Sequence, residues 1–348
     1  AILVTNLEEV SYIFNIRDFS KPYAANIFKR AVITQNSAEL FGRNDFEGYK
    51  KALNSNNGKI YISKNTINAR DYEIIKDKAE TFKNNPIAEM KSIKNSAEIE
   101  HYKKAFESTD LALKAIRNFI NENDNISEYD IAQKLEEYFK KYGAKSLSFK
   151  SIVAKDKNSA LAHYSKSSKE EIIKDGSLIL IDCGAYYEGG LATDITRVFV
   201  KGEPDKLQKK IYTTVLRSFL HGFNYKITAD TTGFEIDNKI REFIAAEADT
   251  GFEFNHGLGH GIGISVHEYP PNLSCNELAK VKLKEGMCFT IEPGLYNKDY
   301  FGIRLENSCY LLNGKIRSFV KMNYENKLID YSLLSNEEKE WLKEFEVI

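Results

Sequence analysis

Between His256 and His267 the chain reads HGLGHGIGISVH, with glycine at every odd position from Gly257 to Gly263 and three of the six histidines inside twelve residues. If the segment is extended, its glycines line one face and His256, Leu258, His260 and Ile262 line the other, because successive side chains of a strand alternate. A strand face without side chains lets another element approach more closely than a Cβ would allow. The opposite face then points two imidazoles the same way, about two pleats apart. This pattern suits a site better than it suits a plain sheet.

Two further stretches constrain the same region. In SLILIDCGAYYEGGLATDITRVF the Glu188-Gly189-Gly190 segment separates two β-rich runs, so a hairpin is expected with Asp182 and Asp194 roughly opposite each other. The runs MCFTIEP and FGIRLENSC flank the polar turn NKDY, so Glu292 and Glu306 also face each other approximately. Arg304, two residues before Glu306, shares its face and can pair with it. Cross-strand Cβ atoms lie about 4.5–5.5 Å apart and like charges placed there destabilise a sheet, so something positive is expected between them. Four carboxylates and one histidine nitrogen make an oxygen-rich donor set suited to Mn²⁺, Co²⁺ or Zn²⁺. Two such cations, about 3.5–4 Å apart, would balance four negative charges and hold a bridging hydroxide. The chemistry implied is metal-assisted hydrolysis. A lone aspartate in a strand is ordinarily solvated or hydrogen-bonded; here the set occurs together.

At 348 residues, with 42% hydrophobic and 28% charged side chains, the chain is long enough for two domains. Lys and Arg total 49 against 50 Asp and Glu, with no long single-sign block, so neither nucleic acid nor an anionic membrane is an expected partner. The opening AILV is followed at once by TNLEE, and no run approaches the roughly 20 apolar residues of a membrane helix. Cys183, Cys275, Cys288 and Cys309 form no CxxC pair, which points to a reducing cytoplasm. Ala1 in place of an initiating Met suggests a processed chain or a fragment.

Residues 1–90 read as a small α/β domain, with strand-like ILVT, SYIFNI, AVIT and GKIYISK, then KDKAETFKNNPIAEMKSIKNS as helix and linker. Beyond it, a helix is expected over residues 97–123 with its start at Ser96, and a second over SEYDIAQKLEEYFKKYG. The strands FKSIVA, SLILIDCGAYY, ATDITRVFV, MCFTIEP and FGIRLENSCYLL follow, separated by helical LQKKIYTTVLRSFLHGF and GFEIDNKIREFIAAEA. LLSNEEKEWLKEF reads as a terminal helix in which Trp341 packs. The fold class is α+β. His101 and His221 fall in helical segments and read as structural, Cys288 as a small buried hydrophobe, and Cys183 as pointing away from the face of Asp182.

Taken in order, LIDCGAYYEGGLATDITRVF, HGLGHGIGISVHE, TIEPGLY and GIRLENS resemble the pita-bread metallopeptidases, with the spacing of aminopeptidase P and its prolidase relatives, over roughly residues 90–348. The amino-terminal LVTNLEEVSYIFNIRDFSKPYAANIFKRAVIT and the tail KLIDYSLLSNEEKEWLKEF are similar to the longer, eukaryotic-type aminopeptidase P, which carries two domains before the catalytic one. One is expected here, so the resemblance implies a gene product that extends upstream. It implies a creatinase-like amino-terminal α/β domain over 1–90 and a pita-bread catalytic domain with a carboxy-terminal extension over 91–348. It also implies two divalent metal ions, manganese by expectation with zinc or cobalt as alternatives, and a homodimer. Asp182 would be a terminal ligand of one ion, His260 and Glu292 would serve the other, and Asp194 and Glu306 would bridge them. His256 and His267 would line the substrate side, His163 in LAHYSKSS matches another active-site histidine, and Arg304 matches a residue beside the site. One departure stands out: Asp182 and Asp194 enclose eleven residues where the family usually has ten, so a bulge or longer loop is expected.

The implied reaction removes an amino-terminal residue that precedes proline, a bond that lacks an N–H. Glu292 would shuttle the proton to the leaving nitrogen, and His267 and His163 would hydrogen-bond the carbonyl or the tetrahedral intermediate. Prolidase shares the ligands but takes dipeptides only. Methionine aminopeptidase places its last two glutamates much further apart and lacks the leading domain, and creatinase does not keep the ligand set. Pita-bread modules of histone chaperones and proliferation-associated proteins have lost ligands and bind proteins instead, whereas all five positions are filled here.

Overall fold

The computed structural model describes residues 1–247 and 251–345, and it divides into two compact units, Ala1–Lys91 and Ser92–Ile348. The first unit is built on a five-stranded sheet with the order Ala38–Phe41, Arg30–Ile33, Ile2–Val4, Ile60–Ile62, Ala79–Thr81. Leu3 and Val4, adjacent in the central strand, belong to different apolar clusters, as the alternation of a strand covered on both faces requires. SYIF is helical rather than extended: it belongs to the helix Leu7–Phe14. The Asn6 side chain accepts the N–H groups of Glu8 and Glu9 at its start, and Asn15 takes the left-handed conformation at its end. These two caps outweigh the β-prone composition between them. The lysine- and asparagine-rich stretch contains the edge strand Ala79–Thr81 and the helix Pro86–Ser92, not helix followed by linker.

The second unit opens with the helix Ser96–Glu122. Asn95, not Ser96, caps it, in a reciprocal box with Glu98. The helix Glu128–Lys141 follows, with the same device formed by Ser127 and Asp130. An antiparallel three-stranded sheet, ordered Ile195–Val200, Leu178–Cys183, Ile152–Lys155, lies in this unit. A five-stranded antiparallel sheet has the order Glu268–Leu273, Gly259–Gly261, Cys288–Ile291, Asn307–Leu312, Lys315–Ser318. The helices Lys206–Phe223 and Gly233–Glu247 bury Val215, Phe219, Leu220 and Ile240 against Leu180, Val198, Ile291 and Ile303 from the strands. Each such side chain contributes about 1.5–3 kcal/mol. The terminal helix Asn336–Leu342 packs Trp341 half-buried against this core, while His221 hydrogen-bonds Glu338 at 3.0 Å. Among the described residues no helix is long and apolar enough to cross a membrane.

Candidate metal centre

The first hairpin places its aspartates differently from the expectation. Asp182 pairs with Thr196 and Cys183 with Ile195, and Tyr186 bridges Ala192 beyond them. One register therefore holds on both sides of Gly184 and Asp194, and no bulge is needed. Asp194 stands opposite Gly184, so Asp182 and Asp194 are diagonal neighbours on one face, about 7–8 Å apart, rather than a direct pair. A Cβ on Gly184 would lie 1.8 Å from the carbonyl oxygen of Thr193, which explains the glycine.

In the second hairpin Ile291 pairs with Asn307 and Gly294 with Arg304, so Glu292 and Glu306 oppose each other in the gap between two ladders. Neither of their N–H groups serves the hairpin. Glu292 donates to Leu258 O at 2.8 Å and Glu306 to Thr196 O at 3.2 Å. These bonds sew the second hairpin to the histidine segment on one side and to the first hairpin on the other.

Only Gly259–Gly261 of the glycine run is a strand, and its register with Glu268–Leu273 shifts between His260 and Gly261. The close approach is nevertheless there: a Cβ on Gly259 would meet Thr290 O at 2.0 Å, and one on Gly261 would meet Glu268 O at 2.5 Å. Thr290 Oγ1 also accepts the N–H of His260 at 3.1 Å, which fixes the imidazole against the strand carrying Glu292.

The donor set fits divalent cations. His260 Nδ1–H donates to Gly261 O at 3.0 Å, so the Nε2 lone pair faces Asp194 Oδ2 and Glu292 Oε1, each 3.5 Å away. A lone pair aimed at two carboxylate oxygens is repulsive unless a cation lies among them. Asp194, His260 and Glu306 offer ligand atoms within 4.8 Å of one another. Asp182 Oδ1 is buried with no hydrogen-bond partner, a state that costs about 1–3 kcal/mol and that a cation would relieve. Burial, and next the neighbouring carboxylates, pushes the Asp194 and Glu306 carboxyls well above their usual range. Burial raises Glu292 too, against the pull of His260 and Arg304.

Arg304 does not pair with Glu306. Its Nη2 donates to Asp182 Oδ2 at 2.6 Å, Nη1 to Tyr296 Oη at 2.8 Å and Nε to Thr196 Oγ1 at 3.2 Å. Two residues apart on one strand project in parallel, so the guanidinium reaches past Glu306 to the other hairpin. Thr196 Oγ1 then donates to Glu306 Oε2 at 2.7 Å and closes the link. Tyr296 Oη–H donates to His256 Nε2 at 2.8 Å, and His256 Nδ1–H donates to Gly257 O at 2.8 Å, so both nitrogens of that ring are taken. Burial, then the charge of Arg304, pushes His256 down to about 3. His267 stands edge-on to His260 with ring centroids 4.2 Å apart. It is exposed toward the cavity, yet the surrounding protein, then His260 and His163, pushes it down to about 4.

His163, Asp182, Asp194, His256, His260, His267, Glu292, Arg304 and Glu306 all line one cavity of about 520 Å³, whose walls include Phe149, Lys150, Ile152, Ala162 and Val266. Sequence reasoning missed Thr196 and Tyr296. Thr196 follows Asp194 by two residues and so shares its face, a signal that was available. It also missed Arg197, wholly buried beneath the site, which donates to Glu306 O at 2.8 Å, Asn307 Oδ1 at 2.8 Å and Met322 O at 2.6 Å. Its only signal is a lone charge in an apolar run.

The model of metallopeptidase family M24 matches residues 100–312. The chain is 36% identical to an uncharacterized peptidase of Methanocaldococcus jannaschii, over 91% of this chain and 83% of that one. It is 30% identical to a probable Xaa-Pro aminopeptidase P of Pyrenophora tritici-repentis, over 99% of this chain. It spans under two thirds of the length of such fungal relatives, 66% of that protein and 64% of a peptidase of Schizosaccharomyces pombe. Among solved structures, the Xaa-Pro dipeptidase from Bacillus anthracis superposes with a TM-score of 0.78 at 29% identity over 93% of each chain. The X-prolyl aminopeptidase from Caenorhabditis elegans, a cytosolic enzyme with a di-nuclear active site, superposes at 0.87 over 99% of this chain and 63% of that one, at 22% identity.

Proposed function

The chain belongs to metallopeptidase family M24 and has its pita-bread fold, and on that premise we propose that it releases the first residue from peptides with proline in second position. The observation that carries the reading is the convergence of four carboxylates and the free lone pair of His260 on one cavity. Two divalent cations, taken to be manganese with zinc or cobalt as alternatives, would be held by Asp182, Asp194, His260, Glu292 and Glu306 and would supply a nucleophile at neutral pH and a polarised carbonyl. Glu292, beside the reacting bond, passes a proton to the leaving proline nitrogen. His267 is neutral at pH 7 and offers an N–H to the carbonyl oxygen as charge develops there, with His163 as a second donor from the facing loop. His256, with both nitrogens engaged, walls the cavity without donating to substrate. Arg304 orients Asp182.

Residues 1–90 are read as the creatinase-like domain and 91–348 as the catalytic domain with its extension, in line with the two compact units. A homodimer in a reducing cytoplasm completes the proposal; the four cysteines are free thiols, and light scattering tests the dimer.

Two features favour aminopeptidase over prolidase. Arg304 is committed to Asp182 and Tyr296, so it is not available to a dipeptide's carboxylate. The cavity of about 520 Å³ has room for more than two residues. Lys150 favours the alternative: it lines the cavity without a carboxylate partner among the described residues, donating instead to Ser165 O at 2.6 Å. The deciding measurement is kcat/KM for an Xaa-Pro dipeptide and for the same dipeptide extended by several residues. Equal or better cleavage of the longer peptides is expected; cleavage confined to the dipeptide would establish the prolidase reading instead.

A further inference from the structure

His163 lies exposed on the cavity wall and makes no hydrogen bond of its own among the described residues. Its aim therefore depends on the loop that carries it. Glu128, the first residue of the helix Glu128–Lys141 and wholly buried, ties both ends of that loop, alongside Lys150 Nζ–H to Ser165 O at 2.6 Å and Ser167 Oγ–H to Val153 O at 3.3 Å. Glu128 Oε1 accepts the N–H of Lys155 at 2.7 Å and Nδ2–H of Asn158 at 2.9 Å. Its Oε2 accepts the N–H of Ser168 at 2.9 Å and lies 2.8 Å from Tyr164 Oη, whose one proton is shared with Lys166 O at 2.6 Å. Lys155 and Ser168 bracket the loop, and Tyr164 is the residue next to His163.

The exchange also runs the other way. The N–H of Glu128 donates to Glu171 O and that of Tyr129 to Ser168 O, each at 3.2 Å. These are helix-start donors that have no partner within the helix, so the loop and the helix end satisfy each other. A second pin holds the loop's shoulder: Ser159 Oγ accepts the N–H of Gly302 at 2.8 Å, and its proton lies between Gly302 O at 2.9 Å and Asp156 O at 2.6 Å. Gly302 begins the strand that ends at Arg304. The His163 loop is thus tied at its base to a helix and at its shoulder to the strand of the site.

We propose that Glu128 is the positioning residue for His163, closing the Lys155–Ser168 loop so that the imidazole faces the scissile carbonyl. The proposal rests on the reading above, in which His163 donates to substrate. Three N–H donors and the Tyr164 hydroxyl converge on Glu128, and only a group with two acceptor oxygens faces them all. Glu128→Gln keeps one acceptor oxygen and turns an N–H₂ toward Ser168, so it loosens half of the closure. Tyr164→Phe removes one hydroxyl, and with it the contacts to Glu128, Lys166 O and Asn158.

The test measures kcat and KM on an Xaa-Pro tripeptide for the wild type, Glu128→Gln, Tyr164→Phe, His163→Ala and the Glu128→Gln/His163→Ala pair. In parallel, imidazole NMR signals, with that of His163 assigned by His163→Gln, report the ring without reference to activity. Glu128→Gln is expected to lower kcat by about 10-fold with KM changed much less, and Tyr164→Phe by about three-fold. Both should displace the His163 signal and leave that of His221 in place. In the His163→Ala background Glu128→Gln should cost nothing more. A full multiplicative loss in the double variant, or an unmoved His163 signal in both single variants, overturns the proposal. If His163→Ala alone keeps wild-type kcat, the donor role given to His163 fails, and with it the catalytic part of this proposal; the ring signal then still decides whether Glu128 sets the imidazole's place.

Discussion

Arg304 donates Nη2 to Asp182 Oδ2 at 2.6 Å, and the other oxygen of that carboxylate, Oδ1, is buried without a hydrogen bond. One oxygen is held by the arginine while its twin is left for a ligand. Arg304→Met would strip donors from Asp182, Tyr296 and Thr196 at once. The expected result is a loss of about 3–5 kcal/mol of stability in the chain without cations and a 10–100-fold weaker metal affinity. Calorimetric titration measures the second quantity, and an unchanged affinity would contradict the orienting role of Arg304.

Chelation should abolish hydrolysis and lower the melting temperature, because it returns buried carboxylates to one another's company. Asp194→Asn should bind less metal than the wild type, by at least one ion per chain, as counted by elemental analysis. A metal-free protein with full activity and unchanged stability would sink the metal reading.

The same carboxylates set a pH dependence. Asp194 and Glu306 have folded-state pKa values raised by burial and by each other's neighbours, so the cation-free folded chain binds more protons than the unfolded one. Their contribution to stability is full below the ordinary carboxylate range, near about 4, and falls as pH rises through the raised values. In chelator the melting temperature should therefore be higher at about pH 5.5 than at about pH 8. The metal-loaded protein should lose this slope or reverse it. A cation-free chain equally stable at both values would refute the charge crowding.

His267→Ala should lower kcat by roughly 10² or more with a smaller effect on KM, since its N–H is most useful when charge has developed on the oxygen. Steady-state kinetics on a tripeptide with proline second separates the two constants. A rise in KM alone would assign His267 to substrate binding.

Gly259→Ala should be among the most damaging single methyl additions in the chain. Its Cβ would sit 2.0 Å from Thr290 O, on the backbone that precedes Glu292, with no side chain able to yield. A loss of more than about 4 kcal/mol, or failure to accumulate folded protein, is expected in thermal denaturation.

Much of the site was legible because its ligands lie on strands or in register with them, where a period of two fixes which side chains share a face. The opposition of Glu292 and Glu306 follows from the spacing around NKDY, and the close approach to Gly259 follows from the glycine alternation. The aspartate pairing is shifted by two residues from the expectation: the hairpin sets Asp182 against Thr196, and residue type and strand propensity do not count the residues that the turn consumes. The partner of Arg304 was hidden for another reason. Asp182 is 122 positions away, and side-chain reach between two hairpins leaves no periodicity in either one. In the first unit, SYIF looked extended by composition, but asparagines at both ends made it a helix.

Glu292 and Glu306 face each other between two separately paired ladders, one on the Cys288–Ile291 side and one on the Gly294–Tyr296 side. The outer ladder carries the turn; the inner one joins the larger sheet. The inner ladder therefore aligns the two glutamates as well as the turn does. The hairpin tip, where Lys298, Asp299 and Tyr300 are exposed, is free to lengthen or to accept a grafted peptide while the inner ladder keeps the carboxylates in step. For protein engineering this is an attachment point on the site's own hairpin that need not disturb the site's chemistry.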